Sequence, residues 1–159
     1  MALERPAGAQ TSPAGPGIPS APMATVNHVG LCVTDLQRSR AFYEGAFGFR
    51  HRSDLAVPDA PAATLLQVAP PVGLRAVYLE RDGWVLELLH FDRPGNGAPR
   101  HRPFTEPGLT HLSFTVDDLP SACALVIEHG GEVLAQTEIP GMAIMVRDPD
   151  GQLLELLPG

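Results

Sequence analysis

Four side chains at matched positions have the chemistry to hold a divalent metal: His28, Glu87, His111 and Glu155. They arrive through two internal repeats. His28-Val29-Gly30-Leu31-Cys32-Val33-Thr34-Asp35-Leu36 returns as His111-Leu112-Ser113-Phe114-Thr115-Val116-Asp117-Asp118-Leu119 in identical register. Asp82-Gly83-Trp84-Val85-Leu86-Glu87-Leu88-Leu89 returns as Asp150-Gly151-Gln152-Leu153-Leu154-Glu155-Leu156-Leu157. Each half opens with a histidine and closes with a glutamate. Two imidazoles and two carboxylates form a mixed nitrogen and oxygen set suited to a divalent transition metal. Singly, a strand histidine is more often a satisfied core residue and a strand glutamate more often faces water. Jointly those readings are poor, because a duplication can keep its packing residues without keeping both His and both Glu.

The elements that must position these groups follow from periodicity. Val26 to Val33 reads as a strand with Val29, Leu31 and Val33 on one face and His28, Gly30 and Cys32 on the other. Thr34-Asp35 offers an N-cap, Leu36 to Ala46 carries a helical apolar stripe, and Gly48 stops it. Phe49 to Val57 is a predicted strand, and Asp59 to Val72 a short helix or loop. Leu74 to Arg81 and Trp84 to Phe91 form a predicted hairpin across Asp82-Gly83. The second half repeats the order: strand Thr110 to Val116, helix Leu119 to Gly130, then strands Glu132 to Gln136, Met142 to Arg147 and Gln152 to Leu157. His111, Ser113 and Thr115 share one face of their strand, opposite Leu112, Phe114 and Val116. Glu87 and Glu155 sit inside apolar strands, where a bare carboxylate is costly unless it is paired or metal-bound. The expected class is α+β: two tandem βαβββ modules forming a curved, cup-like mixed sheet into which the four groups converge.

Composition bounds the rest. The chain has 159 residues, 44% hydrophobic and 18% charged, which suits one core-forming unit after residues 1–23. Those first residues are rich in Ala, Gly and Pro without periodicity, and are expected to be a disordered tail. The expected boundaries are 24–92 for the first module, 93–107 for a linker and 108–158 for the second module. A net charge of −7 argues against nucleic-acid binding. No apolar run is long enough to span a bilayer, and no secretory signal pattern is present. Cys32 and Cys123 make no disulfide framework, so a cytoplasmic protein with reduced thiols is expected.

These repeats and the closing Asp148-Pro149-Asp150-Gly151 followed by Glu155 resemble the vicinal oxygen chelate superfamily over about Ala24 to Pro158. The His, Glu, His, Glu order is most similar to glyoxalase I, a lactoylglutathione lyase. Asp35 to Ser39, Phe42-Tyr43 and Phe47-Gly48-Phe49 are similar to its first helix and following strand. The resemblance implies that His28, Glu87, His111 and Glu155 ligate one divalent ion, Ni²⁺, Co²⁺, Zn²⁺, Mn²⁺ or Fe²⁺. It implies a lyase or isomerase that stabilises an enolate or enediolate of a small oxygenated substrate, with Glu87 or Glu155 as general base. It also implies a homodimer, with the site within one chain or between two. An acyl-CoA epimerase of the methylmalonyl-CoA type shares the proton-abstraction step. A drug-sequestering resistance protein needs no metal. An extradiol dioxygenase or a fosfomycin-type thiol transferase needs only two His and one Glu, and ranks lower. Substrate-binding residues are not legible.

Smaller features carry less. His90 is three residues from Glu87, hence on the opposite strand face. His51 and His129 read as solvent-facing. Cys32 shares the His28 face but reads best as a small core filler. Trp84 is expected to pack on the hairpin. Arg100-His101-Arg102 reads as a solvated linker.

Overall fold

The computed structural model describes residues 24–92 and 103–159. The expected tail and Arg100-His101-Arg102 lie outside the described residues. The first half contains β1 (Val29–Cys32), α1 (Leu36–Phe47), β2 (Arg50–Ala56), α2 (Asp59–Leu66), β3 (Leu74–Arg81) and β4 (Trp84–Phe91). The second contains β5 (Leu112–Val116), α3 (Leu119–Glu128), β6 (Glu132–Val133), a 3-10 turn at Ala135–Thr137, β7 (Ile144–Arg147) and β8 (Leu153–Pro158). Two four-stranded mixed sheets result, ordered β1-β4-β3-β2 and β5-β8-β7-β6. The same order in both makes the repeat a structural one.

Local chemistry explains the shared plan. Asp35 and Asp118 cap α1 and α3 with nearly the same backbone angles, φ −144° ψ 111° and φ −143° ψ 113°. Asp35 accepts from Gln37 and Arg38 N–H, and Asp118 from Ser121 N–H, so donors orphaned at each helix start are satisfied. Gly48 ends α1 at φ 65°, where a side chain would be strained. Asp82 and Gly83 both have positive φ, the requirement of a two-residue turn that matches strand twist. The β6 region is shorter than expected: two residues of strand, then the 3-10 turn in which Thr137 bonds Leu134 carbonyl and Met145 N–H.

Alternation sends one face of each sheet to a shared core. Leu31, Val33, Val77, Leu79, Leu86 and Leu88 from the first sheet join Ile144, Val146, Leu154 and Leu156 from the second. The helices fill the same cluster with Phe42, Tyr43, Phe47, Ala122 and Val126. Phe47 stacks on Phe114 with centroids 4.3 Å apart, tying α1 to β5. The opposite sheet faces carry Gly30 and Cys32, both exposed, and Glu87 and Glu155. Cys32 is therefore not the core filler its size suggests. A separate cluster of Ala62, Val72 and Leu74 sets α2 over one end of the first sheet, against Leu89 and Phe91.

A polar clamp joins the halves. Asp150 accepts from Thr34 N–H at 3.1 Å, Arg38 Nη2 at 2.6 Å and Ser39 Oγ at 3.1 Å, and also pairs with the Thr34 hydroxyl. Tyr43 Oη donates to Asp148 at 2.9 Å, while Asp148 also takes Asp150 and Gln152 N–H. The Asp148-to-Gly151 turn thus docks on the start of α1. Burial pushes the Asp148 carboxyl up, opposed by its Gln152, Tyr43 and Asp150 hydrogen bonds.

Candidate metal centre

The structure brings the four candidate residues together as two pairs. His28 Nε2 lies 3.1 Å from Glu87 Oε2, and His111 Nε2 lies 3.5 Å from Glu155 Oε2. Both histidines sit one residue before their strands rather than within them. Glu87 and Glu155 are on β4 and β8 as expected, each facing away from the shared core. Among the described residues of one chain, no three His, Cys, Asp or Glu side chains gather where a metal could be held. Of the two arrangements left open, a site within one chain or between two, the described residues of one chain gather the four groups only as two separate pairs.

Each histidine is oriented by the residue before it. His28 Nδ1 lies 2.7 Å from Asn27 Oδ1, and His111 Nδ1 lies 2.9 Å from Thr110 Oγ1. A neutral imidazole engaged as a donor through Nδ1 presents the Nε2 lone pair. A cation between that lone pair and the facing carboxylate oxygen would then be bound by both. Metal bonds of about 2.1 Å place donors about 3.0 to 3.4 Å apart, depending on octahedral or tetrahedral geometry. The His28–Glu87 pair falls within that range and the His111–Glu155 pair lies just above it at 3.5 Å, so each has the donors for half of such a set.

The two glutamates are supported from opposite sides. Tyr78, across β3, donates to Glu87 Oε1 at 2.5 Å and meets the His28 ring edge-on at 5.7 Å. Met145 occupies the equivalent place opposite Glu155. There the support comes from β5, where Ser113 Oγ donates to Glu155 Oε2 at 2.8 Å. Gly30 stands at the Ser113 position in the first half, opposite Glu87. The Glu87 side chain is 11% exposed, whereas that of Glu155 is 28% exposed. The Glu87 hydrogen bond, then burial, pushes Tyr78 up to about 12.

Other expectations sort simply. His90 is held by the Val33 carbonyl at 3.2 Å and Asp92 at 3.3 Å, away from Glu87, as its offset indicates. His51 is exposed and pairs with Asp54, while His129 is half-buried with its ring against Gly45. The Cys32 thiol is held above its ordinary value by partial burial and Asp150, which argues against thiolate chemistry there. Trp84 is 61% exposed instead of packed on its hairpin. It borders an apolar groove of about 970 Å³ with Phe47, Leu109, Leu112 and Phe114. Asn27, Tyr78, Thr110 and Ser113 were not singled out by sequence reasoning. The hairpin register did carry the Tyr78 signal, because a two-residue turn at Asp82-Gly83 pairs Tyr78 with Glu87.

The fold is that of a two-module α+β protein. The chain belongs to the Glyoxalase/Bleomycin resistance protein/Dioxygenase superfamily, whose family model matches residues 25–156. It is similar to the uncharacterized protein YaeR of Escherichia coli, with 28% identity over 145 residues, 82% of this chain and 93% of YaeR. A glyoxalase family protein from Bacillus cereus shares the fold at TM-score 0.74 and 18% identity, over 89% of this chain and 97% of that one. The trypanothione-dependent glyoxalase I of Leishmania major does so at TM-score 0.59 and 24% identity, over 82% and 84%. Among the described residues no helix is long and apolar enough to cross a membrane.

Proposed function

We propose that the protein is a divalent-metal-dependent lyase or isomerase of the glyoxalase-like type, acting on a small oxygenated substrate. In this reading His28, Glu87, His111 and Glu155 are the ligands, and each site takes one pair from each of two copies of the chain. The observation that carries it is the doubled pair: a histidine Nε2 facing a glutamate oxygen at 3.1 Å and again at 3.5 Å, at equivalent positions of a repeat. Each pair has two donors, and a four-donor set needs both. Among the described residues β1 and β5 each pair with one neighbour only, which leaves an edge of each that another chain could meet. Val26, Trp84 and Leu109, all more than half exposed, flank the groove along β5 and supply apolar surface for that contact.

Bound between two such pairs, a divalent ion supplies Lewis acidity towards neighbouring oxygens of a substrate. Asn27 and Thr110 hold the imidazoles with Nε2 forward. Tyr78 fixes one oxygen of Glu87, and Ser113 engages Glu155. One of the two carboxylates takes a proton from the carbon beside the substrate carbonyl. Return of the proton to the adjacent atom isomerises the substrate, and return to the same carbon from the other face epimerises it.

Elemental analysis tests the ligand assignment: about one ion per wild-type chain, and far less in His111→Ala. Equal metal in both sinks it. Mass spectrometry in D₂O tests the chemistry on a panel of α-oxo-thiol adducts and acyl-CoA esters. Solvent deuterium should enter the activated C–H position, more slowly in Glu87→Gln or Glu155→Gln. An amide still coordinates through oxygen but does not accept the proton. Tight binding of an apolar drug with no metal and no exchange would identify a sequestering protein instead.

A further inference from the structure

Trp84 stands exposed at the start of β4, with Val26 and Leu109 as exposed neighbours on the same groove. The groove holds about 970 Å³ and most of the side chains that line it are apolar. An open apolar surface of this kind marks an interaction site. Residues 1–23 lead into it. Val26 is part of its wall and Pro22 is four residues earlier, so that proline lies within about 14 Å of the groove. These residues lack a helix or strand period, but prolines recur at every third position: Pro13, Pro16, Pro19 and Pro22. Three residues make one turn of a polyproline II helix. In that conformation the four rings fall on one face, spaced about 9 Å apart along the axis. No charged residue occurs between Pro6 and Asn27.

We propose that Pro13 to Pro22 docks on this groove of its own chain as a polyproline II segment, with the proline face against Trp84. Proline-rich segments recognise aromatic-lined grooves because their conformation is largely set before binding and costs little entropy to fix. The carbonyls of such a segment have no internal partners, and the indole N–H of Trp84 is a donor. The covalent tether raises the effective concentration of the segment to about the millimolar range, so a weak contact suffices. Charge also selects the occupant. Asp82, Asp117 and Asp118 line the groove, and an uncharged segment meets them without like-charge repulsion. A second copy would bring its own three carboxylates to the same surface. The inference is independent of the metal chemistry, and it replaces the disordered tail expected from composition. It also gives the groove two claimants, the tail and the second copy proposed above, so docking of the tail opposes self-association.

Trp84 is the sole tryptophan of the chain, so its fluorescence reports on the groove directly. Acrylamide quenching is compared in three full-length proteins, each diluted until sedimentation shows single chains. They are wild type, Pro13→Ser/Pro16→Ser/Pro19→Ser/Pro22→Ser, and Ala14→Ser/Gly17→Ser, which alters only the neighbouring face. Quenching should rise about twofold in the proline variant, as a docked population is released, and stay at the wild-type level in the other. In the magnetic resonance spectrum, proline ring protons of residues 13–22 should be shifted upfield by the indole ring in wild type. They should return to ordinary positions in Trp84→Ala, a change at an exposed site that spares the core. A rise missing from the proline variant or equal in both variants, or proline protons that ignore Trp84→Ala, overturns the inference. Shielding of Trp84 that disappears on dilution of wild type assigns the groove to a second copy and overturns it as well. Self-association separates this inference from the proposed dimer. With half of the tails docked, the proline variant should dimerise about fourfold more tightly. Unchanged self-association beside a raised quenching keeps the tail on the groove and removes the groove from the proposed dimer contact instead.

Discussion

Tyr78 stands directly opposite Glu87 across the β3–β4 hairpin and donates its hydroxyl to the oxygen that does not face His28. The two halves solve one problem differently. Tyr78 and Gly30 flank Glu87, whereas Met145 and Ser113 flank Glu155. Partners of this kind orient metal ligands and usually alter affinity when removed.

Tyr78→Phe should therefore weaken divalent-metal binding about 10- to 100-fold, read by calorimetric titration. Adding Gly30→Ser to that variant should recover much of the loss by transplanting the support used in the second half. A Cβ at Gly30 would sit 3.4 Å from Glu87 Oε2 and 3.2 Å from Leu89 Cδ1, so small adjustments admit it. Unchanged affinity in Tyr78→Phe would show that Tyr78 does not position Glu87.

Alkaline titration gives an independent check on metal-free protein. The chain has two tyrosines. Burial, then Asp148, holds Tyr43 well above the ordinary value of 10, and Tyr78 is pushed up to about 12. A raised tyrosine favours the fold while it stays neutral. That contribution is present below 10 and is lost as pH rises towards 12. Tyrosinate absorbance should be nearly absent at pH 10.5, about half a unit above the ordinary midpoint. A clear rise there in folded protein would contradict the buried, hydrogen-bonded tyrosines.

The sequence made most of this fold legible because its signals are local. Alternation placed Leu31 and Val33 in the core and Glu87 on the other face; Asp35, Asp118 and Gly48 marked helix ends; Asp82-Gly83 fixed a hairpin and with it the Tyr78–Glu87 pairing. Relations between distant elements were not legible. No local pattern shows that Asp150 reaches Thr34, Arg38 and Ser39, or that the His–Glu pairs form no larger ligand cluster among the described residues. Cys32 and Trp84 were misjudged for a related reason. Their residue types suggest burial, but which sheet face or hairpin tip is covered depends on how the halves dock.

That docking predicts the effect of Asp150→Ala. The substitution removes the acceptor shared by Thr34, Arg38 and Ser39 and leaves their donors without it. Arg38 is 44% exposed and can return to water, so the loss is smaller than for a fully buried pair. About 2 kcal/mol is expected in urea denaturation. A change under about 0.5 kcal/mol, the usual surface effect, would mean that the clamp does not hold the halves together.

Acid should loosen both helix starts. Backbone hydrogen bonding from Arg38 holds Asp35 below the ordinary 3.8, and the Ser121 hydroxyl and N–H hold Asp118 below it too. A depressed carboxyl stabilises the fold above its unfolded value, and that contribution is lost as pH falls through the folded value. Asparagine caps a helix nearly as well and does not titrate. The Asp35→Asn/Asp118→Asn variant should therefore melt close to wild type at pH 6, with a shallower decline in melting temperature between pH 4 and pH 2. These pH points are chosen to bracket the ordinary carboxyl value of about 3.9. Parallel declines in both proteins would remove the caps from the acid response.

The composite-site reading makes a prediction that a single-chain site cannot share. Glu87→Ala damages the first-half pair, and Glu155→Ala damages the second-half pair. Each variant alone should bind little metal. In a dimer of one chain of each kind, one site would combine both damaged pairs, while the other would combine an intact His28–Glu87 pair with an intact His111–Glu155 pair. Random reassortment of equal amounts makes half the dimers mixed, so about a quarter of wild-type metal binding should return. Co-refolding the two variants and measuring tightly bound Co²⁺ by its visible absorption reads this directly. No recovery, with mixed dimers demonstrated by mass, would place all four ligands within one chain or remove them from metal binding. Recovery near a quarter requires that each chain lend its second-half pair to its neighbour.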